Sequence, residues 1–317
     1  MKTARWLVPG LVSQYDPQVK IGILFVLGAI IGGVLYTLVR FLKRQGDEPL
    51  NTRHAVRLLG FWAILELVLF PNLQEDFNYY HRWKVITHNF PLSEWYEIRA
   101  YNIDYAPLFA YLEWLEGSLL ALFFPDDLKL SSMHRESNGF RVAMGVMNVV
   151  VHSSYWFALL KLFRTLQARM KKRVTVNLFS FCFISSNLLF VDGARNQANQ
   201  LILALTVVSM AYILEQRYLM SAFWYCLALN SKQLTLYYSL AYFLYLLIVY
   251  GLTPSFNFKN LVKLGSLVIV FHTLLYLPFV SSFGKMLYNI SGADKHKILN
   301  YPNLQNLYSL LEIPIES

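Results

Sequence analysis

Four uncharged runs constrain this chain more than any other feature of its sequence. Residues 21–39, 142–160, 174–191 and 264–284 contain no Asp, Glu, Lys or Arg, and each run is bounded by charged residues. Each comes close to the ~20 helical residues that cross a hydrocarbon core. Apolar stretches at 58–71, 196–214, 218–231 and 233–258 are shorter or interrupted, the first of them by Glu66. Together these segments predict about eight crossings. Backbone in lipid has no water to bond, so every crossing is expected to be helical. The expected fold class is an all-α polytopic membrane protein.

Composition excludes the alternatives. Of 317 residues, 56% are hydrophobic and 16% aromatic, and only 15% are charged, against about 25% in a typical soluble domain. A disordered, collagenous, coiled-coil or ordinary cytosolic chain does not read this way. The net charge of +9 does not require a nucleic-acid partner, because an excess of Lys and Arg in cytoplasmic loops gives the same sum. Cys182 and Cys226 both sit in apolar stretches, which argues against a disulfide framework or a Cys-based zinc site. Residues 1–20 lack the apolar core of a cleavable signal.

Sidedness follows from the basic loops. Arg40, Lys43, Arg44, Arg53 and Arg57 follow the first run, and Lys161, Arg164, Arg169, Lys171, Lys172 and Arg173 follow the run ending at residue 160. Both loops are expected on the cytoplasmic side. Residues 72–141 are mixed in charge and are expected on the opposite side. There Leu108, Leu112, Leu115, Leu119 and Leu122 recur at helical spacing while Glu113 and Glu116 interrupt the other face. That pattern predicts an amphipathic helix lying on the membrane surface. Parity then puts Asp192 and Lys232 on the same side as residues 72–141, together with the tail from Lys285.

The densest polar block is Glu75-Asp76-Phe77-Asn78-Tyr79-Tyr80-His81-Arg82-Trp83. Aromatic rings stack on sugar faces, Arg pairs with phosphate oxygens, and a carboxylate can take a proton from a hydroxyl. An interfacial aromatic belt with ordinary surface charges explains the same block equally well. Asp104 stands in a turn before Pro107, where an N-cap or turn role is the simpler reading. Lys232 is a lone cation in an uncharged stretch, which makes it a functional candidate by default, or a lysine snorkelling to the interface. His152 and His272 read as packed, hydrogen-bonded residues. Walker-type loops, Gly-rich dinucleotide motifs, Gly-x-Ser-x-Gly elbows and metal-ligand spacings are absent from the sequence. A lipid-carried substrate is therefore more natural than a cytosolic nucleotide.

The ordered blocks resemble a family. Asp76-Phe77, His81-Arg82-Trp83, Ile86-Thr87-His88-Asn89-Phe90-Pro91-Leu92-Ser93-Glu94-Trp95-Tyr96 and Asp104-Tyr105-Ala106-Pro107-Leu108 are similar to one loop. It is the first lumenal loop of the dolichyl-phosphate-glucose-dependent glucosyltransferases of the endoplasmic reticulum, which belong to the GT-C class. Asp192-Gly193-Ala194-Arg195-Asn196-Gln197-Ala198-Asn199 is similar to that family's Asp-x-Gly-His-Phe-Gln-Tyr-Asn block, and Asn230-Ser231-Lys232-Gln233 to its Lys-Gln block. Leu277-Pro278-Phe279 matches a Leu-Pro-Phe at the end of a span. The Lys-Gln form leans toward the enzyme that adds the first glucose, and the Thr-His to Trp-Tyr form toward the one that adds the second.

The departures are specific. Asn78 stands for a Glu, His81 and Arg82 are in swapped order, Ala106 replaces a Pro, and Arg195, Asn196 and Ala198 replace His, Phe and Tyr. The family's Arg-rich loop after Pro278 is missing; Lys285, Lys295, His296 and Lys297 follow instead. An additional span at 21–39 precedes the first one expected, and the family's later spans are missing, so the chain reads as divergent and shortened.

The resemblance implies an inverting transfer of glucose from dolichyl phosphate glucose to a mannose of the dolichol-linked oligosaccharide, with the active site facing the lumen. Asp76 would be the general base. His81, Arg82, Trp83, Trp95, Tyr96, Asp104, Tyr105, Asp192, Arg195, Gln197, Asn199, Lys232 and Gln233 would bind substrate. No cofactor or metal ion is implied, and the partners are the two glycolipids and membrane lipid. The expected organisation is a tail (1–20), two spans (21–71), a lumenal catalytic loop (72–141), further spans (142–284) and a lumenal tail (285–317). The rival reading is an inactive lipid-oligosaccharide-binding or scaffolding relative. A transporter using Glu66 and Lys232 would require inverted repeats, and the sequence has no visible repeat.

Overall fold

The computed structural model describes residues 17–69, 77–98, 103–132, 136–171, 173–184, 198–232, 235–253 and 255–291. Eleven helices carry the chain among them: α1 (Pro17–Gln45), α2 (Thr52–Leu69), α3 (Phe77–Asn89), α4 (Pro107–Ala121), α5 (Asn138–Met170), α6 (Val176–Phe183), α7 (Asn199–Leu214), α8 (Tyr218–Leu229), α9 (Leu236–Leu246), α10 (Phe258–Tyr276) and α11 (Phe283–Ser291). A π-helical turn, Leu247–Leu252, extends α9, and a 3-10 turn, Leu277–Ser282, joins α10 to α11. The described residues contain no strand beyond one isolated bridge. Helix starts follow local chemistry. Ser137 caps α5 by accepting from Phe140 N at 3.2 Å, Thr175 caps α6, and Pro107 opens α4 at a position that needs no N–H donor.

Among the described residues, three helical stretches are long and apolar enough to cross a membrane: Phe25–Gln45, Asn138–Arg169 and Phe258–Ile290. The remaining apolar helices, among them α7, α8 and the α9 extension, are shorter. Of the run at 174–191, the structure describes a helix only over α6; residues 185–191 lie outside the described residues.

Contacts fix the direction of each segment. At one end Lys161 Nζ lies 2.6 Å from Glu215 Oε1, and Arg164 donates to Thr52 Oγ1 at 3.0 Å. Arg173 donates to the Asp47 carbonyl there, and Leu50 N to Val174 O. At the other end His81 meets Asp127, Lys232 meets Asn199 and Asn230 meets His272. Between the ends, Trp156 Nε1 donates to Ala55 O and Asn148 to Glu66, so α2 runs antiparallel to α5. His152 approaches Gln200 while Lys161 meets Glu215, so α7 runs parallel to α5. Parallel neighbours require a return segment, which α6 begins, antiparallel to α5 through Phe163–Phe179 and Tyr155–Cys182. Ser209 with Ser221 and Tyr242 and Asn260 with Tyr250 O continue the alternation through α8, α9 and α10. Both basic loops thus meet at one end of the bundle.

The exterior is apolar along the long helices. Phe25, Val26, Tyr36, Ile269, Val270 and Leu274 are all exposed, an inside-out distribution that lipid tolerates and water does not. Three apolar clusters lie inside among the described residues, the smallest of them Ala222, Tyr225, Tyr242, Leu246 and Leu264 between α8, α9 and α10. Leu58, Trp62, Leu65, Trp156, Leu159, Phe179 and Phe183 fill the bundle, while Tyr80, Trp83, Ile86, Tyr96, Phe109, Phe140 and Phe279 form a second core at the opposite end from the basic loops.

α4 departs from the surface helix its sequence predicts. Leu115, Leu119 and Leu122 do face outward. Glu113, however, is 2% exposed and points inward with Glu116 onto Lys84 of α3. Gly117 lets the two helices close, since a Cβ there would stand 3.3 Å from the Lys84 backbone oxygen.

Candidate active site

The site is built where α3, α4, α7, α8 and the residue 92–98 segment meet. Ala106, with extended φ/ψ of −66° and 160°, is the N-cap of α4. Asp104 is therefore not the N-cap its sequence suggests; it precedes the cap by two residues, half-buried. The next side chain, Tyr105, is the hub. Its ring packs edge-on against Trp83 at 5.3 Å and Phe109 at 4.6 Å. Tyr80 Oη lies 3.5 Å from its hydroxyl, and Tyr96 donates to its backbone carbonyl at 2.8 Å. The Lys232 ammonium sits 5.0 Å from the ring centroid, a cation–π distance.

Lys232 donates to Asn199 Oδ1 at 2.6 Å. It follows the end of α8, where Asn230 is pinned from two sides. The Asn230 amide donates to Cys226 O at 2.8 Å and faces His272 Nε2 at 3.1 Å. Its backbone carbonyl accepts from Leu108 N, which ties α8 to the start of α4. His272 Nδ1 lies 2.8 Å from the Val268 carbonyl, so the geometry assigns the proton to Nδ1 and the acceptor role to Nε2.

Trp83, Tyr96, Tyr105, Asn199 and Lys232 are thus brought together from five separate stretches of sequence. Trp95 stands behind them, donating to Phe90 O at 3.0 Å and packing on Phe279. Burial holds the Tyr96 hydroxyl well above its ordinary pKa, the nearby Tyr276, Tyr111 and Asp104 adding to the effect, so it stays a neutral donor. Arg82 is half-buried. His81 stands apart. It is 1% exposed and donates through Nε2 to Asp127 O at 2.8 Å, with burial pushing its pKa down. It fastens α3 to the turn before α5. Asp76, Asp192, Arg195, Gln197, Gln233 and the Lys295–Lys297 cluster lie outside the described residues.

Two polar pairings escaped the sequence reading, although His152 is packed and hydrogen-bonded as its sequence suggests. Glu66 and His152 are both 0% exposed. Glu66 Oε1 accepts from Asn148 at 2.9 Å and lies 2.7 Å from His152 Nδ1. Lone apolar-run polar residues on α2 and α5 were the only signal for this pairing. The second group is Lys84 with Glu113 and Glu116, whose members are 29 and 32 positions apart in sequence.

The triplet Asn289-Ile290-Ser291 has the form of a glycosylation acceptor. Asn289 is 8% exposed and its amide donates to Tyr96 O at 3.2 Å. An acceptor asparagine needs a free, accessible amide, so no glycan is expected there. Endoglycosidase treatment should leave gel mobility unchanged; a shift abolished by Ser291→Ala would contradict this packing.

Fold and site together define a class: a helical membrane protein with an aromatic-walled, cationic site at one end of its bundle. The chain belongs to the ALG6, ALG8 glycosyltransferase family, whose sequence profile matches residues 62–291. It is 27% identical over 277 residues to the dolichyl pyrophosphate Glc1Man9GlcNAc2 alpha-1,3-glucosyltransferase of Kluyveromyces lactis, covering 80% of this chain and 49% of that protein. It is 32% identical over 227 residues to the protein of the same name in Schizosaccharomyces pombe, 69% of this chain and 45% of that one. It is 29% identical over 226 residues to the probable dolichyl pyrophosphate Man9GlcNAc2 alpha-1,3-glucosyltransferase of Dictyostelium discoideum, 67% and 43% respectively. The chain spans about half the length of the curated relatives it matches.

Proposed function

We propose that this chain transfers glucose from dolichyl phosphate glucose to the dolichol-linked oligosaccharide, forming an α-1,3 linkage, in the endoplasmic reticulum membrane with the site facing the lumen. One observation carries the reading: Tyr105, Asn199 and Lys232, from three of the blocks that resemble the family, converge on one cationic, aromatic position. The alternating helix directions support eight crossings, with the basic loops at the cytoplasmic end and the site at the other.

The chemistry is an inverting displacement. The acceptor hydroxyl oxygen attacks the anomeric carbon of glucose, and the bond from that carbon to the phosphate oxygen breaks. The phosphate leaves with the bonding pair, where Lys232 is placed to meet its charge. Asp76, which directly precedes α3 in sequence, takes the hydroxyl proton. Trp83, Tyr96 and Tyr105 offer ring faces and a hydroxyl to the sugars.

The acceptor we favour already carries one glucose, in keeping with the names of the Kluyveromyces and Schizosaccharomyces relatives. The Lys232-Gln233 pair and the Dictyostelium relative favour the unglucosylated acceptor instead. Offering both oligosaccharides to the purified chain with labelled donor decides between them. Label entering the monoglucosylated acceptor alone supports the proposal; label entering only the other supports the second reading.

A further inference from the structure

His272 lies on α10 among side chains that face the apolar exterior: Ile269, Val270 and Leu274 are all exposed. An imidazole at that depth is costly where an aliphatic side chain would be at home. Its hydrogen bonds leave one arrangement. Nδ1 lies 2.8 Å from the Val268 carbonyl, to which it can only donate, so Nε2 keeps its lone pair. Asn230 Nδ2 lies 3.1 Å from that nitrogen and 2.8 Å from Cys226 O. A carboxamide has two N–H bonds to give, and both are spent here.

Asn230 is 1% exposed and is the C-cap of α8. Its backbone carbonyl accepts from Leu108 N at 3.1 Å, in the first turn of α4. One residue thus joins α8, α4 and, through His272, α10. The chain leaves this junction toward the candidate site in both directions. Two residues after Asn230 comes Lys232, which donates to Asn199 at 2.6 Å. Three residues before Leu108 comes Tyr105, whose ring centroid lies 5.0 Å from the Lys232 ammonium. The backbones that carry the cation and the ring are therefore tied at Asn230, and His272 takes one of the two hydrogen bonds that set the Asn230 side chain.

We propose that His272 is a positioning residue: acting through Asn230, it holds the Lys232 ammonium over Tyr105 and against Asn199, where that charge meets the leaving phosphate. The proposal rests on the glucosyl-transfer reading. Without the imidazole acceptor, one Asn230 N–H is buried with nothing to receive it, and the side chain turns to find another partner. The end of α8 moves with it. A displacement of about 1 Å at a reacting group costs on the order of 10²-fold in rate.

Four variants test this. His272→Leu removes the acceptor, and His272→Asn keeps a polar side chain too short to reach Asn230. His272→Gln returns an oxygen acceptor at about the reach of Nε2. Asn260→Leu is the control: it removes a side-chain bond to Tyr250 O from the opposite end of the same helix. The kinetic measurement is glucose transfer. Charge on the phosphate oxygen grows as its bond breaks, so His272→Leu and His272→Asn should lower kcat roughly 10–100-fold, with KM for the oligosaccharide unchanged. The second measurement does not depend on catalysis: acylation of Lys232 by acetyl N-hydroxysuccinimide, read by mass spectrometry. Released from Asn199, Lys232 should acylate faster in both variants. His272→Gln should restore both values toward wild type, and Asn260→Leu should change neither, even where its unfolding temperature falls as far. Wild-type kcat and acylation in His272→Leu, no rescue by Gln, an equal kcat loss in Asn260→Leu, or failure of both His272→Leu and His272→Asn to fold overturns the proposal. Transfer by the wild type would in each case leave the transfer reading standing. A wild type that transfers nothing, with Lys232 acylation still governed by His272, would remove the transfer reading and keep the link between the two residues.

Discussion

Asp76→Asn is expected to cut glucose transfer roughly 10²–10⁴-fold, the usual contribution of a positioned general base. The change swaps a carboxylate for an isosteric amide that cannot take the proton of the attacking hydroxyl. Folding should be little affected, because a charge at a boundary position contributes little stability. Glu75→Gln is the control: it removes the adjacent charge and should cost far less. Transfer measured in membranes carrying each variant at equal protein level decides the matter. An Asp76→Asn protein that retains activity would remove Asp76 from the chemistry.

The largest effect on stability is expected at Lys84. It is 1% exposed and is the ammonium closest to Glu113 and Glu116. Lys84→Met would leave two carboxylates buried against each other, a loss of about 3–5 kcal/mol from a total of about 5–15 kcal/mol. Adding Glu113→Leu and Glu116→Leu should recover most of it, since an apolar triad of similar volume often matches a buried ionic one. Unfolding temperature in detergent separates the two variants, and equal losses in both would contradict the ion-pair account.

The same triad gives a pH dependence. Burial raises the Glu113 carboxyl above its ordinary 4.5, opposed by Lys84 and reinforced by Glu116. Between 4.5 and that raised value the folded protein holds a proton the unfolded chain has released, so stability falls as pH rises through the window. Lys84 is raised above its ordinary 10.5, and its contribution is lost only at higher pH still. Unfolding temperatures across pH 5–8 (about the range that window opens onto) should therefore decline for wild type and flatten for Glu113→Gln.

The helical segments were legible in the sequence because uncharged length is a direct consequence of lipid solvation. Basic loops at 40–57 and 161–173 predict sidedness from the same solvation argument, and the structure brings both loops to one end of the bundle. Inward burial of Glu113 and Glu116 was not legible. A helix against lipid turns its leucines out and its polar face in, so spacing alone cannot say which face is the interior. Lys84 hid in a charged block whose members part company in the fold: His81 ties to Asp127, Trp83 turns to Tyr105, and Lys84 turns to α4. Convergence of Tyr105, Asn199 and Lys232 followed from the resemblance and not from spacing, since more than 90 residues separate the first from the second. Nothing in the local sequence marked Asn230 and His272 as partners: His272 is a lone polar group in an apolar run, and 42 residues separate it from Asn230.

The central claim is that this chain moves glucose between two dolichol-linked substrates. Membranes that lack every other member of the family, carrying this chain and supplied with labelled dolichyl phosphate glucose, test it most directly. The account predicts lipid-linked oligosaccharide heavier by one hexose, with label in the added residue. Inserted, folded protein that yields no such product while still binding the oligosaccharide would contradict it and identify the chain as a binding relative.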